Sequence, residues 1–332
     1  MRRRCSTGWQ AMLAFVLVAW STLACAAQPV VVVTSYAQEV ISRVEDAFAR
    51  AHPESRLQVI WRMPRDAMPY LTSEAGKGVD VYWSASGRNF AELAQRDAFV
   101  AMPDAVAKVP ARAGGFILSD AQSRYVATEM ATYGFAINPD YLKQHTLSAP
   151  QTWRDLAAPR YAGHLLFPLP SKVGFAPLMI EALLQRYGWQ DGWALLNEIA
   201  TNAQLWSPGG AFITEEVASG KKGVAVTIDF FAQSAIANGA PMQFVHPDVI
   251  GISPGHAAIL RGAPNPGGAH AFIDFLLSAD GQQLLAHPDI RKLPVVPAVY
   301  ASLPAGQFDP YAATLHNGFE FDEAKAQQRM AI

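Results

Sequence analysis

The hydrophobic pattern changes period repeatedly along the chain. Val30-Val31-Val32-Val33 is an unbroken β-branched run, as expected of a strand buried on both faces. It ends at Thr34-Ser35-Tyr36. From Gln38 the spacing becomes helical, with Val40, Val44, Phe48 and Ala51 on one face and Pro53 as the stop. Strands are predicted over residues 57–61 and in Val79-Asp80-Val81-Tyr82-Trp83, with helices over 66–75 and 89–96. This alternation predicts a parallel sheet with right-handed crossovers. Farther on, strands are predicted over 133–137, 164–167 and 223–228. Helices are predicted over 152–156, over 172–187 with Gly188 as its cap, and over 191–203 with Trp193, Leu196 and Ile199 facing the core. One more ends at Gly220 and another opens at Asp229. Residues 249–260 read as extended, and helices follow over 268–277 and 280–286. The fold class is α/β, with a second α/β unit inserted between two parts of the first.

The N-terminus follows a different logic. Arg2, Arg3 and Arg4 precede an uncharged apolar stretch over residues 11–20, and Ala24-Cys25-Ala26-Ala27 supplies small residues for cleavage. The run is shorter than the about 20 apolar residues a spanning helix needs. Residues 1–26 therefore read as a signal peptide cleaved after Ala26 or Ala27, which places the chain in the periplasm. Lipidation at Cys25 is the alternative, but Thr22 stands where a lipoprotein signal wants a large aliphatic residue. Cleavage removes Cys5 and Cys25, the only cysteines, so no disulfide or thiolate metal site is expected. Losing three arginines from 26 basic residues leaves 23 against 28 acids. That balance argues against nucleic acid, which requires a clustered basic face.

Ligands of open α/β sheets bind beyond the carboxyl ends of the strands. Four strand ends here run into hydroxyl or glycine residues before a helix: Thr34-Ser35, Ser84-Ala85-Ser86-Gly87, Ser171, and Ser207-Pro208-Gly209-Gly210. Helix N-termini offer unpaired N–H groups and partial positive charge, so several converging termini would hold an anion. Each, taken singly, is also an ordinary cap or turn. Lys172, or Arg62 and Arg65 past a strand end, could add charge, or lie solvated at the surface. Asp229 could cap its own helix or take a ligand hydroxyl or amine. Tyr36 and Trp206 could close over a ligand or merely pack.

Catalytic patterns are missing: Gly251-Ile252-Ser253-Pro254-Gly255 spells G-x-S-x-G but lies within the extended stretch over 249–260, not at a strand-to-helix elbow, and there is no phosphate-binding G-x-x-x-x-G-K-[ST] and no H-E-x-x-H. The histidines are scattered singly, and each reads as a surface or packing residue. The expectation is a binding protein, not an enzyme, with no cofactor and no metal.

Several segments, in their order and spacing, carry a family resemblance: Val33-Thr34-Ser35-Tyr36, Asp80-Val81-Tyr82-Trp83-Ser84-Ala85, Tyr133-Gly134-Phe135-Ala136-Ile137-Asn138, Pro150-Gln151-Thr152-Trp153-Arg154-Asp155-Leu156, Gly262-Ala263-Pro264-Asn265-Pro266 and Ala271-Phe272-Ile273-Asp274-Phe275-Leu276. The chain resembles the periplasmic solute-binding proteins of bacterial ABC importers, in the group with iron(III)-, polyamine-, phosphonate- and phosphoglycerate-binding members. The resemblance implies a two-lobed, type II-like α/β fold joined by extended hinge crossovers near residues 132–138 and 249–260. Lobe 1 would comprise residues 28–131 plus about 250–280, and lobe 2 about 132–249, with helices of about 281–332 packing across the lobes. It further implies a monomer that captures a small-molecule ligand and meets an ABC permease in the inner membrane. The iron(III) binders of the group carry two adjacent tyrosines where this chain has Phe230 and Phe231, which lack donor atoms. Thr227-Ile228-Asp229-Phe230-Phe231-Ala232 instead looks like the phosphoglycerate-transport members. The expected ligand is a small anion resembling an organophosphate. A polyamine, iron(III), or a sensory role feeding a membrane histidine kinase are the alternatives.

Overall fold

The computed structural model describes residues 28–304, 306–314 and 319–330; the signal peptide expected over 1–26 lies outside them. Eleven strands occur among these residues. They are β1 (Val30–Thr34), β2 (Leu57–Trp61), β3 (Val81–Ser84), β4 (Arg112–Ala113), β5 (Phe116–Ile117), β6 (Val126–Ile137), β7 (Leu165–Pro168), β8 (Ala203–Trp206), β9 (Val224–Ile228), β10 (Gln243–Val245) and β11 (Ile252–Ile259). Nine share one pairing path, β2-β1-β3-β11-β6-β9-β7-β8, with β10 also on β6. β4 and β5 form a separate ribbon.

β6 organises this path. Its twelve residues are all buried. Up to Thr132 it pairs antiparallel with β11, and from Tyr133 onward with β9 and β10. The backbone of Tyr133 donates to Gly251 O at 3.1 Å where the partners change. Two lobes result. In the first, β2, β1 and β3 run parallel and β11 antiparallel to them. In the second, β7 lies parallel to β8 and β9.

The registers fix where the strands point. Ser84, ending β3, lies opposite His256 of β11, and Ile228, ending β9, lies opposite Tyr133. The carboxyl ends of the parallel strands in both lobes therefore face the same junction. Each lobe keeps a core of its own. Phe48, Trp83, Phe272 and Ile259 anchor the first, and Phe135, Trp153, Leu165 and Ile199 the second.

Local chemistry explains most element boundaries. Helix Trp153–Leu156 opens with a complete capping box between Thr152 and Asp155. Helix Ala176–Tyr187 starts four residues later than its periodicity predicts, because the N–H groups of Lys172 and Val173 both turn back to Leu169 O. In helix Trp189–Asn202 the buried face is Leu195, Leu196 and Ile199; Trp193 is exposed, contrary to the face predicted for it. β8 and β10 were not expected from the pattern. β8 places Gln204 and Leu205 in the open, so no apolar period marks it.

At Gly134, on the second-lobe stretch of β6, a Cβ would run into the Val245 carbonyl oxygen and come within 2.7 Å of the Phe244 ring. Gly134→Ala is expected to lower stability by about 1–3 kcal/mol, as overpacking does. Urea unfolding should show a reduced midpoint with an unchanged slope.

Candidate functional site

A cavity of about 990 Å³ occupies the junction that the strand ends face. The first lobe contributes Ser35 after β1, Ala85 to Arg88 after β3, and Ser253, Pro254 and His256 of β11. The second contributes Val173 to Phe175, Gly210, Ile228, Phe230 and Phe231. Tyr133 lies on its wall at the crossing point, and Phe321, Glu323, Ala326 and Gln327 add a wall from the C-terminal segment.

The first-lobe side carries polar side chains among apolar ones such as Phe116 and Ile117. The hydroxyls of Ser35 and Ser84 hydrogen-bond at 3.0 Å, and Ser84 Oγ also accepts from Ser86 N at 3.3 Å. Ser86 caps helix Gly87–Gln95 with no side-chain cap bond, so its hydroxyl is uncommitted there. The N–H groups of Gly87 and Arg88 that open that helix have no intrahelical acceptor, whereas Asn89 N donates to Ser86 O at 3.0 Å. Arg88 beside them lacks an ion-pair partner among the described residues, whereas Arg96 is paired with Glu92 at 2.6 Å. His256 is 6% exposed and its Nδ1 has no hydrogen-bond partner. Burial pushes its pKa down to about 4, so the ring is neutral at pH 7. The buried Tyr133 hydroxyl is likewise unpartnered, and burial raises its pKa.

The second-lobe side is apolar. Gly210 is enclosed so tightly that a Cβ would meet the Phe175 ring at 2.8 Å and the Phe231 ring at 3.1 Å. Tyr133 stacks on Phe175 with ring centroids 5.9 Å apart.

The residues singled out in the sequence separate into three groups. Ser35, Ser86, Gly87 and Gly210 line the cavity. Thr34, Tyr36, Ser84 and Asp229 are buried just behind it: Thr34 Oγ1 accepts from Tyr36 N, and Tyr36 packs edge-on against Trp83 at 4.5 Å. Arg65, Ser171, Lys172 and Ser207 are exposed and outside it; Arg65 lies 3.7 Å from Asp66. Gly209 is also outside, with a φ of 124° that suits glycine, and its carbonyl accepts from Trp206 Nε1 at 3.1 Å. Ser171 and Lys172 are displaced because the Leu169 turn, not a helix, occupies their positions.

Beneath the cavity lies an ion pair that the sequence pattern does not disclose. Lys292 donates to Glu129 Oε1 in a short contact, and both side chains are buried. The Lys292 ammonium sits 4.2 Å from the Tyr36 ring centre, in the first lobe, and 4.9 Å from that of Phe230, in the second. Burial, then Glu129, raise the Tyr36 pKa. Nearby, Asp229 Oδ2 accepts from Thr132 Oγ1 at 2.7 Å and Oδ1 from Phe230 N at 2.7 Å. Burial raises its pKa to about 7, against the opposing pull of those bonds and of Lys292. Among the described residues no group of three or more His, Cys, Asp and Glu could hold a metal ion.

Two outcomes follow. Lys292→Met strands Glu129 as an unpaired buried charge and is expected to cost about 3–5 kcal/mol, most of it recovered in the double change with Glu129→Gln. Urea denaturation of the three proteins reads this. Asp229 holds its proton in the folded chain up to about pH 7, whereas the unfolded chain releases it near 3.8. Stability carried by this group therefore falls as pH rises across that window and is flat outside it. Asp229→Asn should remove the fall, so the variant's stability relative to wild type should climb between pH 4 and 7.

The profile of the bacterial extracellular solute-binding protein family matches residues 79–310. The phosphoglycerate transport regulatory protein PgtC of Salmonella typhimurium is 32% identical over 188 residues, 57% of this chain and 47% of that protein. An uncharacterized protein of Haemophilus influenzae is 29% identical over 208 residues, 61% of this chain and 59% of that one. The chain thus matches only about half the length of these curated relatives. Among solved structures, the periplasmic binding protein AfuA of Actinobacillus pleuropneumoniae, with fructose 6-phosphate bound, superposes with a TM-score of 0.74 at 20% identity, covering 91% of this chain and 95% of that one. Iron-bound HitA of Pseudomonas aeruginosa gives 0.74 at 14% identity, over 90% and 97%. These likenesses establish a two-lobed periplasmic-binding-protein fold, and with the profile they place the chain in the bacterial extracellular solute-binding protein family.

Proposed function

We propose that this protein captures a small anionic solute resembling an organophosphate between its lobes and hands it to an ABC importer in the inner membrane, without transforming it. The observation that carries this reading is the cluster of Ser35, Ser86, Gly87 and Arg88 on the cavity wall, close to the unpartnered Nδ1 of His256. A phosphate group takes hydrogen bonds from hydroxyls, from the N–H groups opening a helix and from a guanidinium. A neutral imidazole can add one more. Ser84 holds both serines from behind, through the Ser35 hydroxyl and the Ser86 N–H, while Thr34 Oγ1 accepts from Tyr36 N. Asp229 supports Phe230 and the wall from beneath instead of touching the solute.

Lobe 1 comprises residues 28–131 plus about 250–280 and lobe 2 about 132–249, with the segments after 280 packing across both. Export through a cleaved signal peptide brings the chain to the periplasm as a monomer. PgtC is named for phosphoglycerate transport and AfuA was solved with a sugar phosphate, which agrees with a phosphorylated solute. Iron(III) is disfavoured because Phe230 and Phe231 lack oxygen donors. A polyamine is disfavoured because Glu92, one of the two wall carboxylates, already pairs with Arg96. The word regulatory in the name of PgtC supports a second reading, in which the loaded form also engages a membrane sensor kinase.

Thermal unfolding with 3-phosphoglycerate, phosphoenolpyruvate, fructose 6-phosphate, spermidine and Fe(III) tests the ligand class. A phosphorylated solute at 100 times its Kd should stabilise the protein by about 2.7 kcal/mol. Arg88→Ala should weaken its binding by about 1.5–3 kcal/mol, the worth of a hydrogen bond to a charged group. Stabilisation by spermidine alone, with none from any phosphorylated solute, would refute the proposal.

A further inference from the structure

The C-terminal segment, residues 319–330, is attached to both lobes at adjacent points. On the first lobe, Phe321 N donates to Gly115 O at 3.1 Å. Its ring stacks on Phe116 with centroids 4.6 Å apart, and it is buried in the first-lobe core. The Phe319 carbonyl presses against Gly115, at φ 84°, where a side chain has no room. The next residue, Asp322, is already tied to the second lobe. Its N–H donates to Gln185 Oε1 at 2.7 Å, and its carbonyl accepts from Gln185 Nε2 at 2.9 Å. Helix Glu323–Met330 then runs along helix Ala176–Tyr187. Arg329 donates to buried Glu181 at 3.1 Å and lies 4.5 Å above the Trp189 ring.

This stapling matters because of where it sits. The same segment puts Phe321, Glu323 and Gln327 on the cavity wall. Glu323 acts electrostatically on Tyr125, which packs edge-on against His256 at 5.2 Å. Lobes that pivot at the β6–β11 crossing carry Gly115 and Gln185 apart, yet one peptide link joins the residues that bind them. Opening must therefore break one of the two attachments.

We propose that residues 319–330 form a latch that holds the two lobes together, so that admission of solute requires its release from one lobe. The proposal rests on the two-lobed fold and not on the identity of the solute, so it is tested on solute-free protein. Spin labels at Arg50→Cys in the first lobe and Glu198→Cys in the second, in the full chain with Cys5→Ser and Cys25→Ser, report the interlobe distance by pulsed dipolar spectroscopy. Two variants cut the latch from opposite sides: Phe321→Ala removes the first-lobe attachment, and Gln185→Ala with Arg329→Gln removes the second. Both should shift the distance distribution to longer separations than in the parent chain. A segment that merely stabilises one lobe would respond to one cut only, and that outcome would overturn the latch. So would distributions unchanged in both. Cooperative unfolding of each variant confirms an intact fold; if Phe321→Ala does not fold, the Gln185→Ala/Arg329→Gln result decides alone.

Discussion

The structure depends on one strand that must satisfy its backbone in two sheets. A buried strand cannot leave N–H or C=O groups unpaired without a cost comparable to a lost hydrogen bond for each. β6 meets that demand by exchanging β11 for β9 and β10 between Thr132 and Tyr133. The exchange makes the chain two-lobed while keeping a single ladder. Because β3 and β9 reach the crossing from opposite sides, it also turns the carboxyl ends of both sets of parallel strands toward each other. Binding in open α/β sheets occurs at such ends. Here two sets of strand ends are made to face by the same hydrogen bonds that hold the lobes together.

The Glu129–Lys292 pair shows what that geometry costs and how it is offset. Burying two charges is expensive, and their attraction repays it only with further favourable contacts. Lys292 finds these in the rings of Tyr36 and Phe230, one from each lobe. The charge is thereby neutralised within the protein, beneath the cavity floor and outside its lining. The polar groups that do face the cavity include the Ser35 and Ser86 hydroxyls, a helix N-terminus, Arg88, Ser253, and the unpartnered atoms of His256 and Tyr133, with Glu323 and Gln327 on the C-terminal wall.

Much of the fold was legible because its elements carry their own signals. The β-branched β1, the capping box at Thr152 and the helical spacing from Gln38 each specify themselves locally. β6 was read only from Tyr133, since Glu129 argues against a buried strand until its partner, 163 residues away, is known. For the site, hydroxyls at strand ends pointed to Ser35, Ser86 and Gly87, which line the cavity. They pointed equally to Ser171 and Ser207, which do not. A cap and a ligand contact use the same residue types, and Ser171 falls outside because the turn at Leu169 stands where a helix start was expected. His256 was passed over because a lone histidine in an apolar strand normally packs; the sequence does not encode that its Nδ1 finds no acceptor or donor. The resemblance implied helices packing across the lobes near the C-terminus, but no local pattern marks residues 321–327 as a cavity wall, which depends on long-range attachments such as those to Gly115 and Gln185.

The two faces of the cavity bear on how capture could be coupled to closure. A solute shifts an equilibrium between open and closed forms only by the difference in its affinity for them. If the polar wall of the first lobe held a phosphate group completely, the open form would bind as well as the closed one, and nothing would drive the lobes together. The second lobe offers instead an apolar wall of Phe175, Phe230 and Phe231 around Gly210. A solute with a phosphate at one end and a carbon skeleton at the other engages both walls only when they approach. Desolvating that skeleton against the aromatic rings then supplies the differential term, at about 25 cal/mol per Å² of apolar surface removed from water. On this reading inorganic phosphate, which has no skeleton to bury, would occupy the polar wall without stabilising the closed form. The discrimination would then lie in the second lobe, and the charge recognition in the first.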